Sequence, residues 1–265
     1  MPATMPTLFV SHGAPTLVAD PVPTRDFLMA LGRGLPRPKA IVCVSAHWDT
    51  PSPRVTGGAN PHTMYDFYGF PPELYEMEYK APGDVALAKA AAKLLAESGL
   101  PAQLDEGRGF DHGAWVPLAL MYPEADIPVL QVSISSHDSP AHHVALGRAL
   151  APLRDEGVLV MASGNATHNL REVFSHRIDE APVPYAKAFA DWLTGRILAN
   201  GGAGDEAALT GYLSQGPEAR RNHPTADHYV PLLAAFGAGG GDAGKILHDG
   251  YTYGVLSMAA YAWGL

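Results

Sequence analysis

The chain has 265 residues, of which 47% are hydrophobic, and its 18 basic and 27 acidic residues give a formal net charge of -9. This length suits one α/β domain over residues 1–265, because no linker-like segment divides the chain. No block rich in Lys and Arg is present, which argues against nucleic acid or an anionic membrane as a partner. The single cysteine, Cys43, excludes an internal disulfide and a cysteine-rich zinc site.

The N-terminal sequence lacks a basic segment followed by a long apolar stretch, so it does not resemble a signal peptide. No apolar run reaches the roughly 20 residues that a membrane-spanning helix needs. We therefore expect a cytoplasmic protein that does not span a membrane.

Short apolar runs and helical repeats alternate along the chain. Strands are predicted at 7–11, 40–46, 127–134, 158–162 and near 251–257. Helices are predicted at 86–97, 140–153, 185–198 and 227–236, with glycine-rich loops at 200–204 and 237–244. This alternation predicts a three-layer α/β/α fold with a central, mostly parallel or mixed sheet.

Two of the predicted strands end in a histidine. His12 follows strand 7–11 in Ser-His-Gly-Ala-Pro, and His47 follows strand 40–46 in Ser-Ala-His-Trp. In an open α/β sheet, ligands bind outside the carboxyl ends of the strands, where two neutral imidazoles could begin a metal site. Either residue alone is more simply read as a hydrogen-bonded strand end; the repeated placement favours metal binding.

The segment 48–83 is rich in proline, glycine and aromatic residues. A long irregular connection in a compact domain is usually functional or disordered, and the aromatic content argues against disorder. We expect an ordered pocket wall here.

Downstream, His112 lies in a glycine-flanked turn before a helix, where it could donate a hydrogen bond to a substrate oxygen or bond to the backbone.

Two further histidines lie near the end of a predicted strand and the start of a predicted helix. His168 follows strand 158–162 across a Ser-Gly-Asn turn, which makes a third strand end with a histidine beyond it. His228 is expected in the first turn of helix 227–236, which Thr225 or Asp227 could cap. The nearby His223 precedes a proline and is expected to be an exposed loop residue.

These motifs together resemble one known family. Phe-Val-Ser-His-Gly-Ala-Pro, Val-Ser-Ala-His-Trp, Tyr-Asp-Phe-Tyr-Gly-Phe-Pro, Gly-Phe-Asp-His-Gly-Ala-Trp, Ala-Ser-Gly-Asn-x-x-His-Asn-Leu and His-Tyr-x-Pro-Leu-Leu occur in this order. The chain is similar to the DODA-type extradiol aromatic ring-opening dioxygenases of the class III, LigB-like group. The resemblance runs from about residue 6 to about residue 258 and implies a single LigB-like α/β domain.

By this resemblance, His12, His47 and His228 are the metal ligands. His168 would be the acid/base residue, close enough to the metal to serve as a fourth ligand, and His112 would be a second catalytic residue that contacts substrate. The broader class uses a carboxylate as third ligand, so the neighbouring Asp227 is a rival to His228. The resemblance implies Fe(II) for turnover, whereas four nitrogen ligands would also suit Zn(II), which we expect in the purified protein.

The implied substrates are a catechol and O₂. Aromatic side chains of the 48–83 segment would shape a pocket for a planar ring: Tyr65, Phe67, Tyr68 and Phe70. DOPA-like, caffeate-like and protocatechuate-like rings all remain open, and an acidic substrate would need a basic partner such as Lys80, Arg108 or Arg171. A homo-oligomer is also left open. The alternatives on the same scaffold are a zinc hydrolase and a non-enzymatic metal-binding protein similar to the Memo branch.

Overall fold

A computed structural model describes residues 4–265; residues 1–3, with which the expected domain and the segment expected not to be a signal peptide begin, lie outside the described residues. The strands are β1 (Thr7–Ser11), β2 (Ala40–Asp49), β3 (Arg54–Thr56), β4 (Gln103–Asp105), β5 (Val129–Ile134), β6 (Val158–Gly164), β7 (Gly244–His248), β8 (Tyr251–Thr252), β9 (Leu256–Ser257) and β10 (Ala260–Trp263).

The α-helices are α1 (Pro23–Gly34), α2 (Val85–Glu97), α3 (His112–Met121), α4 (Pro140–Leu150), α5 (Leu170–Val173), α6 (Pro184–Ile197), α7 (Glu206–Thr210), α8 (Tyr212–Gln215), α9 (Ala219–Asn222) and α10 (Val230–Ala238). Short 3₁₀ helices occupy Pro15–Val18, Pro72–Tyr75, Ala151–Glu156 and Asn200–Gly202. Among the residues from 4 onward, no helix is long and apolar enough to cross a membrane.

Eight strands form one mixed sheet in the order β4-β3-β5-β2-β6-β1-β10-β7. The four central strands β5, β2, β6 and β1 are parallel, whereas β10 runs antiparallel to both β1 and β7. Parallel central strands bring their carboxyl ends to one edge of the sheet. The predicted mixed α/β architecture is confirmed.

Alternation along β2 shows why both faces of the sheet are covered. Val42 and Val44 belong to the apolar core on the face packed by α2, α4, α6 and α10. Ile41 and Cys43 point to the opposite core, which includes α1 and α3. Successive strand side chains point to opposite faces, so a strand that is apolar throughout must be buried on both. Cys43 packs there as a small apolar residue.

Most predicted elements are present with shifted ends. β1 has the predicted bounds, β2 and β6 continue beyond their predicted ends, and β5 begins at Val129. The single strand predicted near 251–257 is wrong, because β8 and β9 are two short strands that pair with each other in a separate small sheet. The last strands of the main sheet, β7 and β10, flank this hairpin and were not predicted.

The helix predicted at 227–236 also needs correction. It begins at Val230, two residues after His228, and runs to Ala238, into the predicted loop 237–244. Pro231 in its first turn explains the start, because proline has no N–H to donate and its φ suits the first helical positions. His228 therefore lies in the turn that precedes α10 rather than in the helix.

Candidate metal centre and active site

Strands β1 and β2, on either side of β6, bring histidines to the same edge of the sheet. β6 lies between β2 and β1, and the parallel registers place Ser11 beside Gly164 and Ser45 beside Ser163. His12 comes directly after β1. His47 lies in the irregular stretch of β2 that follows Ser45. Strand register therefore positions these two histidines.

His228 reaches this edge from a distant part of the chain because Gly164 allows a close approach. The carbonyl of His228 accepts a hydrogen bond from the Asn165 N–H at 3.0 Å. A Cβ atom on Gly164 would lie 2.3 Å from that carbonyl oxygen, so a side chain here would displace the His228 segment. The Asn165 side chain also accepts from the N–H of Gly13, which follows His12.

The three imidazoles converge on one point. The Nε2 atom of His47 lies 3.0 Å from Nε2 of His12 and 3.2 Å from Nε2 of His228. One nitrogen from each ring lies within 4.8 Å of the other two. Ligands about 2.1 Å from one ion at tetrahedral or octahedral angles would be about 3.0–3.4 Å apart. The observed spacing matches ligands that share an ion.

A hydrogen bond at Nδ1, the ring nitrogen that points away from the other histidines, fixes the tautomer of His12. Its Nδ1 atom lies 2.9 Å from Oγ of Ser163, and the Ser163 hydroxyl donates to the carbonyl of Gly113 at 2.5 Å. Because the hydroxyl proton is used, Nδ1 of His12 must be the donor to Ser163. Its Nε2 atom consequently carries a lone pair and no proton.

The other two histidines face carboxylates in the same way. Nδ1 of His228 donates to the Asp227 carboxylate at 2.9 Å, and Nδ1 of His47 lies 3.6 Å from an oxygen of Asp66. A carboxylate favours a proton on the nitrogen that faces it, which again leaves Nε2 unprotonated. Asp227, which the sequence left as a rival ligand, faces the far side of the His228 ring in this structure.

Burial favours the neutral form of all three rings. It lowers the pKa of His12 and His228 well below the usual value, and it lowers the pKa of His47 to about 4. Three unprotonated nitrogens that face one another repel unless a cation lies between them. Neutral imidazoles are the form that binds metal ions, so this donor set fits a divalent transition metal.

A second carboxylate, which the sequence analysis did not single out, links His112 to the site. Oδ1 of Asp66 accepts from Nδ1 of His112 at 3.0 Å and from its main-chain N–H at 2.9 Å. Burial alone would raise the pKa of Asp66, but the hydrogen bonds and charge of His112 outweigh it and lower the pKa to about 2. In the sequence, the feature that could have indicated Asp66 is its position within the aromatic 48–83 segment.

His112 is held at the start of α3 by a buried network. Asp111 caps the helix through the Ala114 N–H and is fully buried. It accepts from Ser45 Oγ at 2.6 Å, from Gln131 Nε2 at 2.7 Å and from Arg108 Nη2 at 3.0 Å. A buried carboxylate with this many donors is rigid, and it fixes α3 against the end of β2.

His168 lies beside the three converging rings but is not one of them. Its imidazole stacks on that of His228, with ring centroids 3.4 Å apart and planes 8° apart. Within residues 4–265 it does not belong to the group of nitrogens that lie within 4.8 Å of one another. Burial lowers the pKa of His168 to about 4, below the near-neutral value expected for an acid/base residue. A role as fourth ligand stays a prediction.

The expectation that His223 is exposed is wrong. Its side chain is only 2% exposed and packs among the rings of Phe189, Tyr212 and Tyr229. Its Nε2 lies 2.9 Å from the carbonyl oxygen of Ala166 and donates to it, two residues before His168. The proline that follows His223 favours extended backbone, but the aromatic residues around it come from distant segments.

A cavity of about 640 Å³ opens above the histidines. Its inner part includes His47, His112, His168 and His228, as well as Asp66 and Asp227. The wall predicted from the 48–83 segment is present, since Phe67, Tyr68 and Phe70 line the cavity. Tyr65 lies outside the lining: its hydroxyl donates to the Met77 carbonyl at 2.8 Å and its ring packs against Phe67.

Comparison with known proteins agrees with this geometry. Residues 7–264 match the family described as the catalytic LigB subunit of aromatic ring-opening dioxygenase. The chain is 42% identical over 260 residues to 4,5-DOPA dioxygenase extradiol of Beta vulgaris, covering 96% of this chain and 95% of that protein. It is 44% identical over 263 residues to the protein of the same name from Escherichia coli K12, covering 98% and 95%.

The fold agrees as well. The crystal structure of an uncharacterized protein from Escherichia coli K12 superimposes with a TM-score of 0.81 at 41% identity, covering 98% of this chain and 99% of that one. A hydrolase or a non-enzymatic binding protein is not favoured by these matches. The chain therefore belongs to the LigB family of aromatic ring-opening dioxygenases and is an extradiol enzyme of that family.

Proposed function

We propose that this enzyme opens the ring of a DOPA-like catechol with O₂, at a metal ion held by His12, His47 and His228. One observation carries the proposal: three ring nitrogens converge, with Nε2 of His47 3.0 Å from that of His12 and 3.2 Å from that of His228, beneath a cavity with aromatic walls. The relatives named 4,5-DOPA dioxygenase support a substrate of this class.

Fe(II) bound there would supply the Lewis acidity and the electron transfer that insertion of O₂ requires, which redox-inert Zn(II) cannot. Three neutral histidines form a ligand set that Zn(II) also accepts. We therefore expect zinc in the protein as purified and activity after loading with Fe(II). The three ligands add no negative charge, so the site favours a deprotonated catechol.

We assign the proton transfer to His168. Its ring lines the cavity against His228 and is neutral at neutral pH, because burial lowers its pKa to about 4. It can accept the proton of a catechol hydroxyl and return it later in the reaction. The Nδ1 atom of His112 lies 3.0 Å from Oδ1 of Asp66, so Nε2 is the ring nitrogen left to form a hydrogen bond with the substrate.

The aromatic wall would orient the substrate ring. Phe67 is buried and makes edge contacts with Phe70 and His112, so its position is fixed. A planar catechol can pack against this wall with its two oxygens toward the histidines and its substituent toward the opening. Tyr68, at the opening, is 91% exposed.

Oxygen uptake with a panel of catechols, after anaerobic loading with Fe(II), tests the proposal. We expect O₂ consumption together with a yellow ring-opened product, and none from the zinc-loaded enzyme. The variant His168→Ala should keep its metal and lose turnover. Hydrolysis that depends on zinc and proceeds without O₂ would overturn the proposal, and full activity of His168→Ala would overturn its role. A cytoplasmic location and a homo-oligomer stay predictions.

A further inference from the structure

A single Lys or Arg side chain lines the active-site cavity within the described residues, and it belongs to Arg171. This residue lies in the short helix α5, three residues after His168. The same helix and the residue after it contribute Leu170 and Phe174 to the lining. The chain segment that carries the proposed acid/base residue therefore continues directly into the cavity opening.

The guanidinium of Arg171 is not used by the protein. Its main-chain N–H donates to the Asn169 side chain at 3.2 Å, but its side chain forms no hydrogen bond or ion pair with residues 4–265. The adjacent carboxylate of Glu172 is occupied by Arg221, whose Nε and Nη2 both lie 2.9 Å from it. Arg171 thus presents a full positive charge with unused donors.

The other two basic residues considered for an acidic substrate are committed elsewhere. Arg108 donates to the Asp111 carboxylate at 3.0 Å and to the His47 carbonyl at 3.2 Å. Lys80 pairs with Glu78 at 2.5 Å and does not line the cavity. Of the three, Arg171 alone is both in the cavity and free.

The charges inside the cavity favour one orientation of an anionic substrate. The carboxylates of Asp66 and Asp227 lie beside the histidines, where they would repel a carboxylate of the substrate. At the opening, Arg171 would attract it. Near Arg171 in the sequence, Phe174 is 94% exposed and Leu170 is 51% exposed, and each offers apolar surface to an aliphatic linker.

We propose that Arg171 binds the carboxylate of a side chain on the catechol substrate and so selects catechols that carry such a chain. The inference rests on the proposed function and specifies its substrate class. A planar guanidinium can bind a carboxylate through two parallel hydrogen bonds, which a lysine cannot reproduce.

The test compares 3-(3,4-dihydroxyphenyl)propionate with its methyl ester, which keeps the catechol and the linker but removes the charge. The measured quantity is the ratio of kcat/KM for the acid to kcat/KM for the ester, in the Fe(II)-loaded enzyme. Arg171→Gln should lower this ratio about five- to thirtyfold, as expected for a charge-assisted hydrogen bond weakened by solvent at an open site. Arg171→Lys should lower it less. The matched control is Arg177→Gln, an exposed arginine paired with Asp179 outside the cavity, and its ratio should equal that of the wild type.

An unchanged ratio in Arg171→Gln overturns the inference, whether both substrates lose activity together or neither does. If the wild-type enzyme consumes no O₂ with these two compounds or with any catechol of the panel, the proposed function fails, and anaerobic calorimetric titration of the acid then decides the inference alone. Weaker binding to Arg171→Gln than to the wild type supports it, and equal dissociation constants overturn it.

Discussion

The floor of the cavity, formed by His12, His47 and His228, differs from its rim, formed by Tyr68, Arg171 and Phe174. On the floor, each converging histidine is buried or nearly so, and a second residue faces the far side of its ring. At the rim, Tyr68, Arg171 and Phe174 are exposed, and the Arg171 side chain has no partner among the residues from 4 onward. A rigid floor keeps the chemistry constant, whereas a rim with few constraints can change its substrate preference at little cost in stability.

The strongest test of this contrast removes one of the proposed metal ligands on the floor. His47→Ala leaves two of the three nitrogens, so we expect loss of tightly bound metal and at least about a thousandfold loss of activity. Metal content by mass spectrometry and O₂ uptake measure both effects. His137→Ala removes an exposed histidine away from the cavity and should match the wild type. A His47→Ala enzyme with a full complement of metal would contradict the assignment.

A smaller effect is expected when a proposed ligand stays but the carboxylate that faces its ring is removed. Asp227→Ala leaves His228 in place but frees its Nδ1 proton, so the ring loses its fixed tautomer and orientation. Loss of such a partner typically weakens metal affinity about 10- to 100-fold. Competition with a chelator measures this, with Asp191→Ala, a surface acid paired with Lys187, as control. Complete loss of metal would instead mean that Asp227 is itself a ligand.

His223 extends the rigid floor beyond the cavity lining. Its hydrogen bond to the Ala166 carbonyl and the bond from the His168 N–H to the Asn222 carbonyl hold the loop that carries His168. We expect His223→Ala to lower kcat about tenfold with unchanged metal content, because His168 is displaced rather than removed. His223→Gln can still donate to the carbonyl and should recover most of kcat. A change in KM alone, or no rescue by glutamine, would contradict this positioning role.

The sequence predicts the parts of the site that local pattern determines. His12 and His47 could be identified because each follows an apolar run, and parallel strands end at one edge. The position of His228 depends on a close approach to Gly164, and nothing in the local sequence indicates it. The burial of His223 could not be predicted from the sequence either, because its aromatic neighbours come from separate helices and turns. Predictions fail where tertiary packing decides the position of a side chain.

The same distinction applies to the edges of the sheet. β1, β2 and β6 are buried on both faces and appear as continuous apolar runs, which makes them easy to predict. β7 has exposed residues in its middle and a glycine at its start, so it resembles a loop in the sequence. The acidic partners Asp66 and Asp227 show the same limit, since a carboxylate in a loop has many ordinary roles.

Buried histidines outside the metal site predict a pH dependence of stability. Burial lowers the pKa of His143 and of His223 to about 4 from an ordinary value of 6.5. Below pH 6.5 the unfolded chain therefore binds protons that the folded chain does not, so stability falls as the pH drops from 6.5 toward 4. Each histidine should contribute about 1–2 kcal/mol of this loss by pH 5.

Denaturant unfolding of the metal-free enzyme at pH 7.5 and pH 5 measures this loss. The histidines of the floor add to it in the same direction, because their pKa values are lowered too. His143→Gln should remove part of the pH dependence, whereas His137→Gln, which changes an exposed residue, should leave it intact. Equal free energies of unfolding at the two pH values would show that these histidines are not buried as described.

The smallest effect should come from the rim itself. Phe174 is 94% exposed, so Phe174→Ala should change the free energy of unfolding by no more than about 0.5 kcal/mol. The same substitution removes apolar surface beside the opening and should raise KM about two- to fivefold for a substrate with an aliphatic side chain. Its kcat should stay near that of the wild type, because no floor residue depends on it. If Phe174→Ala lowers kcat as strongly as His223→Ala, the rim residue affects the catalytic step at the floor. The division between a fixed catalytic floor and a variable rim would then be wrong.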